Sequence, residues 1–175
     1  MNHFRKIGEV DISKARIAIN VMPQLWNEAT FRQEHPLSPH KKTESIYLRW
    51  PKDYTAYAAL YARDYEDKPA LRLPIFSSLL LSVEKLIGKS AQRAMIVRLN
   101  PNGYISSHID QGPHAAATDR FHCAIQTNQG SWLKSGDEKI IVLPGEVYWF
   151  DKHAMHEAEN TGTTPRVHLI VDTLK

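Results

Sequence analysis

Residues 95–110 read MIVRLNPNGYISSHID. Met95 to Leu99 is apolar on both sides of Arg98, which predicts a strand. Pro101-Asn102-Gly103 then forms a turn, because proline presets φ and Asn-Gly tolerates positive φ. A second strand is predicted over Tyr104–Ile109, and it runs directly into His108-Ile109-Asp110. Side chains alternate along a strand, so His108 and Asp110 are expected to project together with Ile109 behind them in the core. One imidazole and one carboxylate on a shared face supply two-thirds of a 2-His-1-carboxylate set. Such a set leaves coordination positions on Fe(II) open for a co-substrate and O₂.

Downstream, further strands are predicted over Arg120–Thr127, Ser131–Lys134, Lys139–Leu143, Val147–Phe150, Glu157–Asn160 and Arg166–Thr173. Short strands with turn signals between them indicate a closed or double-sheet β architecture. Upstream, Pro51 opens a helical spacing through Tyr54, Tyr57, Leu60 and Tyr61. Pro74 opens another through Ile75, Leu79, Val83 and Leu86, and Gly88 stands where a helix-ending glycine is common. Ser45–Trp50 reads as a strand, and Arg32–Lys42, with Pro36 and Pro39, as a polar loop. The layout is α+β and mainly β, with N-terminal helices buttressing one outer sheet face. We expect a single domain over 1–175, in which 1–92 supports a β core at 93–175. The length of 175 residues and the 42% apolar share suit one buried core.

Two strands carry Arg-X-His on one face: Arg120 with His122, and Arg166 with His168. Together with His108-X-Asp110 they indicate one polar cavity inside the β structure. An arginine there can pair bidentately with a carboxylate, which suits the distal end of a dicarboxylate co-substrate. The third metal ligand lies among later histidines. His156 opens a predicted strand, whereas His153 follows Asp151 in a polar loop.

From about Met95 to Asp172 the chain resembles the aspartyl/asparaginyl β-hydroxylase family of 2-oxoglutarate-dependent oxygenases. The matching pieces are Asn100-Pro101-Asn102-Gly103 before His108, Arg120-X-His122, Gly145 to Asp151, His156 with Asn160, and Arg166 with Asp172. The resemblance implies a double-stranded β-helix, a cupin-like jelly roll, with Fe(II) and 2-oxoglutarate. It selects His156 beside His108 and Asp110 as the iron ligands. It gives Arg166 the distal carboxylate of 2-oxoglutarate and places Arg120 and His122 in the same co-substrate pocket. The implied reaction is hydroxylation of an amino acid, free or in a peptide or protein, by O₂, with release of succinate and CO₂. Two positions depart from the best-known animal members. Asp110 stands where they have glycine, so the triad is complete, which argues against halogenation. Val97 stands where they have a serine that helps bind 2-oxoglutarate.

Several other readings bound the function. The net charge of +3 is modest, and no arginine follows Arg166 within its strand, so nucleic acid is not the expected substrate. The lone Cys123 allows no internal disulfide and reads as packing. The N-terminal stretch lacks a signal-peptide pattern and no apolar run approaches a membrane span, so a soluble cytoplasmic protein is expected. Gln111–Asp119 reads as a loop able to close over substrate or as a plain connector, with His114 either touching substrate or, as is commoner for a loop histidine, solvated. Trp132 and Trp149 either line the entrance or pack. Glu157 and Asp172 are candidates to fix the histidine rings. The residues alone also fit a cupin-like metal-binding sensor or a non-oxidative isomerase.

Overall fold

The chain alternates small helices and strands until residue 90 and is almost purely β thereafter, as seen in a computed structural model that describes residues 2–175. Met1, part of the N-terminal stretch read above, lies outside the described residues. In chain order the first part contains β1 (Phe4–Glu9), α1 (Ser13–Val21), α2 (Phe31–Glu34), β2 (Thr43–Trp50), α3 (Ala56–Tyr61), β3 (Glu66–Asp67) and α4 (Pro74–Ile87). The second part contains β4 (Ala91–Leu99), β5 (Gly103–His108), α5 (Pro113–Ala117), β6 (Thr118–Gln126) and β7 (Ser131–Ser135). It ends with β8 (Glu138–Ile140), β9 (Glu146–Phe150), β10 (His156–Asn160) and β11 (Arg166–Leu174).

Two antiparallel sheets result. The larger has the order β1-β9-β6-β11-β4-β2-β3 and the smaller β5-β10-β7-β8. The eight strands from β4 to β11 thus divide four and four between facing sheets, which is the jelly-roll arrangement of a double-stranded β-helix. Strands β1 and β2 extend the larger sheet on either side by pairing with β9 and β4. Helix α4 buries Phe76, Leu79, Leu80 and Val83, and α1 buries Ala15, Ala18 and Ile19. These side chains share one apolar cluster with Phe121, Cys123, Ile125, Val167, Leu169 and Val171 of β6 and β11. The opposite face of those two strands carries Arg120, His122, Arg166 and His168. Period-2 alternation therefore separates a greasy outer face, covered by helices, from a polar inner one.

Helix α4 follows its sequence signals closely. Pro74 occupies its first turn, and Gly88 adopts φ 76° while donating its N–H to Glu84 O at 2.8 Å. The helix expected from Pro51 starts later, at Ala56, because the Thr55 hydroxyl accepts the Ala58 N–H at 3.0 Å and caps it there. Strand β1 has no clear sequence signature, since a register shift between Lys6 and Gly8 interrupts its alternation. Among the described residues, no helix is long and apolar enough to cross a membrane.

Asn160, fully buried at the end of β10, fastens the two sheets together. Its Nδ2 donates to Leu99 O and Thr164 O, both at 2.9 Å, and its Oδ1 accepts from Asn128 Nδ2 at 3.0 Å and Gly162 N at 3.1 Å. Asn160→Ala leaves several of these groups without partners, and each buried orphan costs roughly 1–3 kcal/mol. We expect a loss of about 2–4 kcal/mol in urea unfolding. A loss below about 0.5 kcal/mol, the range of an ordinary surface change, would show that the clamp contributes little.

Candidate active site

His108 closes β5 and His156 opens β10, and antiparallel pairing sets the two residues directly opposite each other. Their ring centroids are 4.1 Å apart. Each ring turns its Nδ1 back onto its own chain: His108 to Ser106 O at 2.7 Å, and His156 to Ala154 O at 3.0 Å. A carbonyl can only accept, so Nδ1 carries the proton and the Nε2 lone pair is left facing the partner histidine. Backbone carbonyls, rather than Glu157 or Asp172, therefore fix the rings. Glu157 instead accepts from Tyr104 Oη and Lys134 Nζ, and Asp172 bonds Arg120 and His114.

Ile109 and Asp110 lie past the end of β5, which stops at His108, so strand alternation holds neither, and Ile109, expected in the core, is exposed. The Asp110 N–H donates to Lys152 O at 3.2 Å, tying this extended segment to the turn before β10. Asp110 Oδ1 then sits 3.6 Å from His108 Nε2 and 3.7 Å from His156 Nε2. Two ligands at about 2.0–2.2 Å from a shared first-row ion lie no more than about 4.4 Å apart, and both separations meet that limit. His153, the other candidate histidine, is exposed in the turn and outside this cluster.

The electrostatics suit a cation. Burial pushes His156 down to about 4 and His108 below its ordinary value, so both rings are neutral at pH 7. Burial opposes ionisation of Asp110, but the neighbouring Arg120 charge outweighs it and holds the carboxyl below its usual range. Two neutral imidazoles and one carboxylate form the donor set of a facial triad.

Arg120 stands behind Asp110. Its Nε and Nη2 grip Asp172 at 2.7 and 2.9 Å, and its Nη1 donates to Asp110. The residue expected in the co-substrate pocket thus spends its guanidinium on two carboxylates, one of them in the triad. Lys152 packs nearby, with Nζ 2.6 Å from Thr118 Oγ1, and burial pushes it down to about 8. His114, read as solvated, is buried; its Nε2 donates to Asp172 at 3.0 Å and its Nδ1 lies 2.9 Å from Tyr65 Oη.

Two cavities meet at the triad. The inner one, about 40 Å³, is lined by Val97, His122, Phe150, His156 and Arg166 among others, and has room for little more than a carboxylate group. Arg166 is 3% exposed and donates to His168 Nδ1 at 3.0 Å. Among the described residues it has no carboxylate partner, and burial pushes its pKa down to about 10. A buried guanidinium without a counter-ion is costly, and an anionic group entering beside it removes that cost. His122 lies beside it, with Nδ1 3.3 Å from His168 Nδ1.

The outer cavity is larger, about 560 Å³, within the usual range for small-molecule sites. It opens over His108 and Asp110 and is walled by Trp50, Arg93, Met95 and Leu60 together with Phe31 to His40. The segment read as a polar loop thus forms one wall of the site, and Arg32 and His40 border both cavities. Phe31, just before that segment, packs its ring on Tyr47 and Trp50. Gln111, His114 and Ala115, the last two on α5, line the same cavity, so the loop after Asp110 is part of its wall. Trp132 and Trp149 lie elsewhere: Lys139 Nζ covers the first at 3.9 Å, and the second donates to Asp119 Oδ1 at 3.2 Å.

The family model of the aspartyl/asparaginyl β-hydroxylases matches residues 19–175. The chain belongs to the aspartyl/asparaginyl β-hydroxylase family. Among similar proteins, the L-proline cis-4-hydroxylase of Rhizobium meliloti (strain 1021) is 32% identical over 108 residues, which cover 59% of this chain and 39% of that enzyme. The chain thus spans well under half of that relative's length in the match. In fold, it is similar to the viral collagen prolyl hydroxylase of Paramecium Bursaria Chlorella virus-1. The TM-score is 0.61 at 10% identity, covering 99% of this chain and 97% of the other. A 2OG-Fe(II) oxygenase family oxidoreductase from Burkholderia pseudomallei gives a TM-score of 0.54 at 10% identity, covering 75% and 66%. At such identity the two structures establish the shared fold alone.

Proposed function

We propose that this member of the β-hydroxylase family is an Fe(II)- and 2-oxoglutarate-dependent dioxygenase that hydroxylates an amino-acid substrate. The observation that carries this is the adjacency of a His-Asp-His donor set to a buried arginine lacking a counter-ion. His108, Asp110 and His156 would hold the iron, and Arg166 would pair with the distal carboxylate of 2-oxoglutarate. His122 would line the co-substrate chamber, and Arg120 would serve it through Asp110. Bound iron with 2-oxoglutarate supplies the oxidising chemistry, in which R–H, O₂ and 2-oxoglutarate become R–OH, succinate and CO₂.

The chain's own groups orient and shield. The Ser106 and Ala154 carbonyls hold both imidazoles in the tautomer that offers Nε2. Arg120 keeps Asp110 ionised and aimed at the histidines. Phe150 stands edge-on to both His122 and His156 and keeps water from the inner cavity. Asp110 fills the place a halide would need, which supports hydroxylation over halogenation. The outer cavity receives the substrate, and L-proline, the substrate named for the R. meliloti relative, is the first to test.

The test is an anaerobic titration of metal-free protein with Fe(II), then 2-oxoglutarate, following the visible metal-to-ligand charge-transfer band. The wild type should develop the band. Arg166→Ala should bind iron normally but need at least about 30-fold more 2-oxoglutarate, since losing one partner of a buried charge pair costs about 2–5 kcal/mol. Iron bound with no band would sink the assignment and favour a metal-binding sensor or a non-oxidative isomerase.

A further inference from the structure

Two arginines in the outer cavity have no assigned task. Arg93, on β4, is 5% exposed, and its guanidinium stacks over the rings of Trp50 at 4.8 Å and Tyr65 at 5.3 Å. Ala58 O accepts from it at a long 3.4 Å and the Tyr65 hydroxyl lies beside it, while its Nε is buried with no partner among the described residues. Arg32, from α2, donates to Met95 Sδ at 3.1 Å and has the Tyr47 hydroxyl beside it, with no carboxylate partner among the described residues. Arg93 and Met95 are two residues apart on one strand, so they share a face at about 7 Å spacing. Contact with Met95 therefore brings Arg32 alongside Arg93 on the same wall.

The charge balance of this wall is unusual. Arg32, Arg93 and Arg120 line the cavity against one carboxylate, Asp110, and Arg120 already engages it. Burial works against the charge of both Arg32 and Arg93. Stacking on Trp50 and Tyr65 fixes the Arg93 plane without satisfying its N–H groups. A guanidinium that is rigid, dry and short of acceptors is arranged for an incoming planar anion. Phe31, Trp50, Ala59 and Leu60 give the wall an apolar stretch that faces the same space as His108 and Asp110.

Resting on the oxygenase reading above, we propose that Arg93 and Arg32 hold the free carboxylate of the substrate, so that the enzyme acts on a free amino acid rather than on a residue inside a peptide. The apolar wall receives the side chain and directs its C–H bonds toward the triad. An internal peptide residue has no free α-carboxylate, so one without an acidic side chain would leave both arginines unpaired; the peptide probes therefore hold non-acidic residues internally.

The test uses full-length protein loaded anaerobically with Fe(II) and 2-oxoglutarate. The probes are free L-amino acids, L-proline included, their C-terminal amides, and short peptides holding the same residues internally. Binding is read as perturbation of the charge-transfer band, and turnover as succinate release in air. At least one free acid should bind at least about 30-fold more tightly than its amide. Arg93→Gln and Arg32→Gln should each weaken the acid by a similar factor and shrink its preference over the amide to within about threefold. The band itself should persist in Arg93→Gln, which shows that the variant folds; Arg93→Lys, which keeps the charge but loses the planar fork, should fall between. Equal binding of acid and amide, an unchanged preference in both variants, or binding of internal peptides but of no free acid would overturn the proposal. An absent band in the wild type would instead overturn the oxygenase reading itself.

Discussion

Replacing His156 with alanine is expected to weaken Fe(II) binding by at least about 100-fold and to bring 2-oxoglutarate turnover to background. Loss of an outer partner alone typically costs 10–100-fold in metal affinity, so about 100-fold is a lower bound for loss of a donor. His108 is the only other imidazole directly opposite on the β5–β10 pair. His153, three residues away, is exposed in the turn and outside the cluster. His153→Ala is therefore the matched control and should bind iron as the wild type does. Metal content after anaerobic loading and gel filtration decides between them. Full iron occupancy in His156→Ala, or a loss in His153→Ala, would remove His156 from the proposed triad. The substitution also removes the ring that stands edge-on to Phe150, so a modest loss of stability is expected beside the loss of metal.

The second large effect is expected at Asp172. This carboxylate is 2% exposed and accepts two bonds from Arg120 and one from His114. Asp172→Ala leaves the buried Arg120 charge with Asp110 alone and His114 without its acceptor. Breaking one side of a buried ion pair costs about 3–5 kcal/mol. Freed from Asp172, Arg120 no longer has a fixed direction from which to hold Asp110, so iron affinity should also fall by about 10–100-fold. Urea unfolding and iron titration test the two effects separately. A stability loss under about 1 kcal/mol, the level of an exposed pair, would show that the network is not a structural support.

Asp172 also makes a pH prediction whose sign is fixed. Burial opposes its ionisation, but the Arg120 charge and the hydrogen bonds from Arg120 and His114 outweigh that, and its carboxyl lies well below the usual range. A depressed carboxylate stabilises the fold fully above the unfolded value near 3.9, and that contribution is lost as pH falls toward the folded value. The stability gap between wild type and Asp172→Asn should therefore be constant near neutrality and narrow below about pH 4. A gap that widened in acid would contradict the assignment.

The relation between sequence and structure differs from element to element. Helix α4 was legible because its signals are local: a proline in its first turn, an apolar repeat and a glycine at its end. The strands from β4 to β11 were legible because turn residues separate short apolar alternations, and that alternation already divided helix-packed side chains from Arg120, His122, Arg166 and His168. Strand β1 was hidden by a bulge, and the start of α3 was decided by the Thr55 hydroxyl rather than by Pro51. The His108-X-Asp110 motif was plain, although the reason its residues converge was not. Asp110 is set by a bond to Lys152 O across a turn, and the tautomers of His108 and His156 by carbonyls two residues back on their own chain.

By itself, then, the sequence determined the layered β architecture, the polar lining of its interior and the candidate donors, because period and residue type are local properties of the chain. Only the tertiary structure decided that Arg120 serves Asp110 and Asp172, that Arg166 is left without a counter-ion, and that Arg32 and Arg93 meet on one cavity wall. Each of these depends on which charges become neighbours after strands and loops far apart in sequence are brought together. Whether a buried charge is satisfied is a property of the packed interior, where low dielectric makes every pairing count, and no stretch of residues read alone contains it.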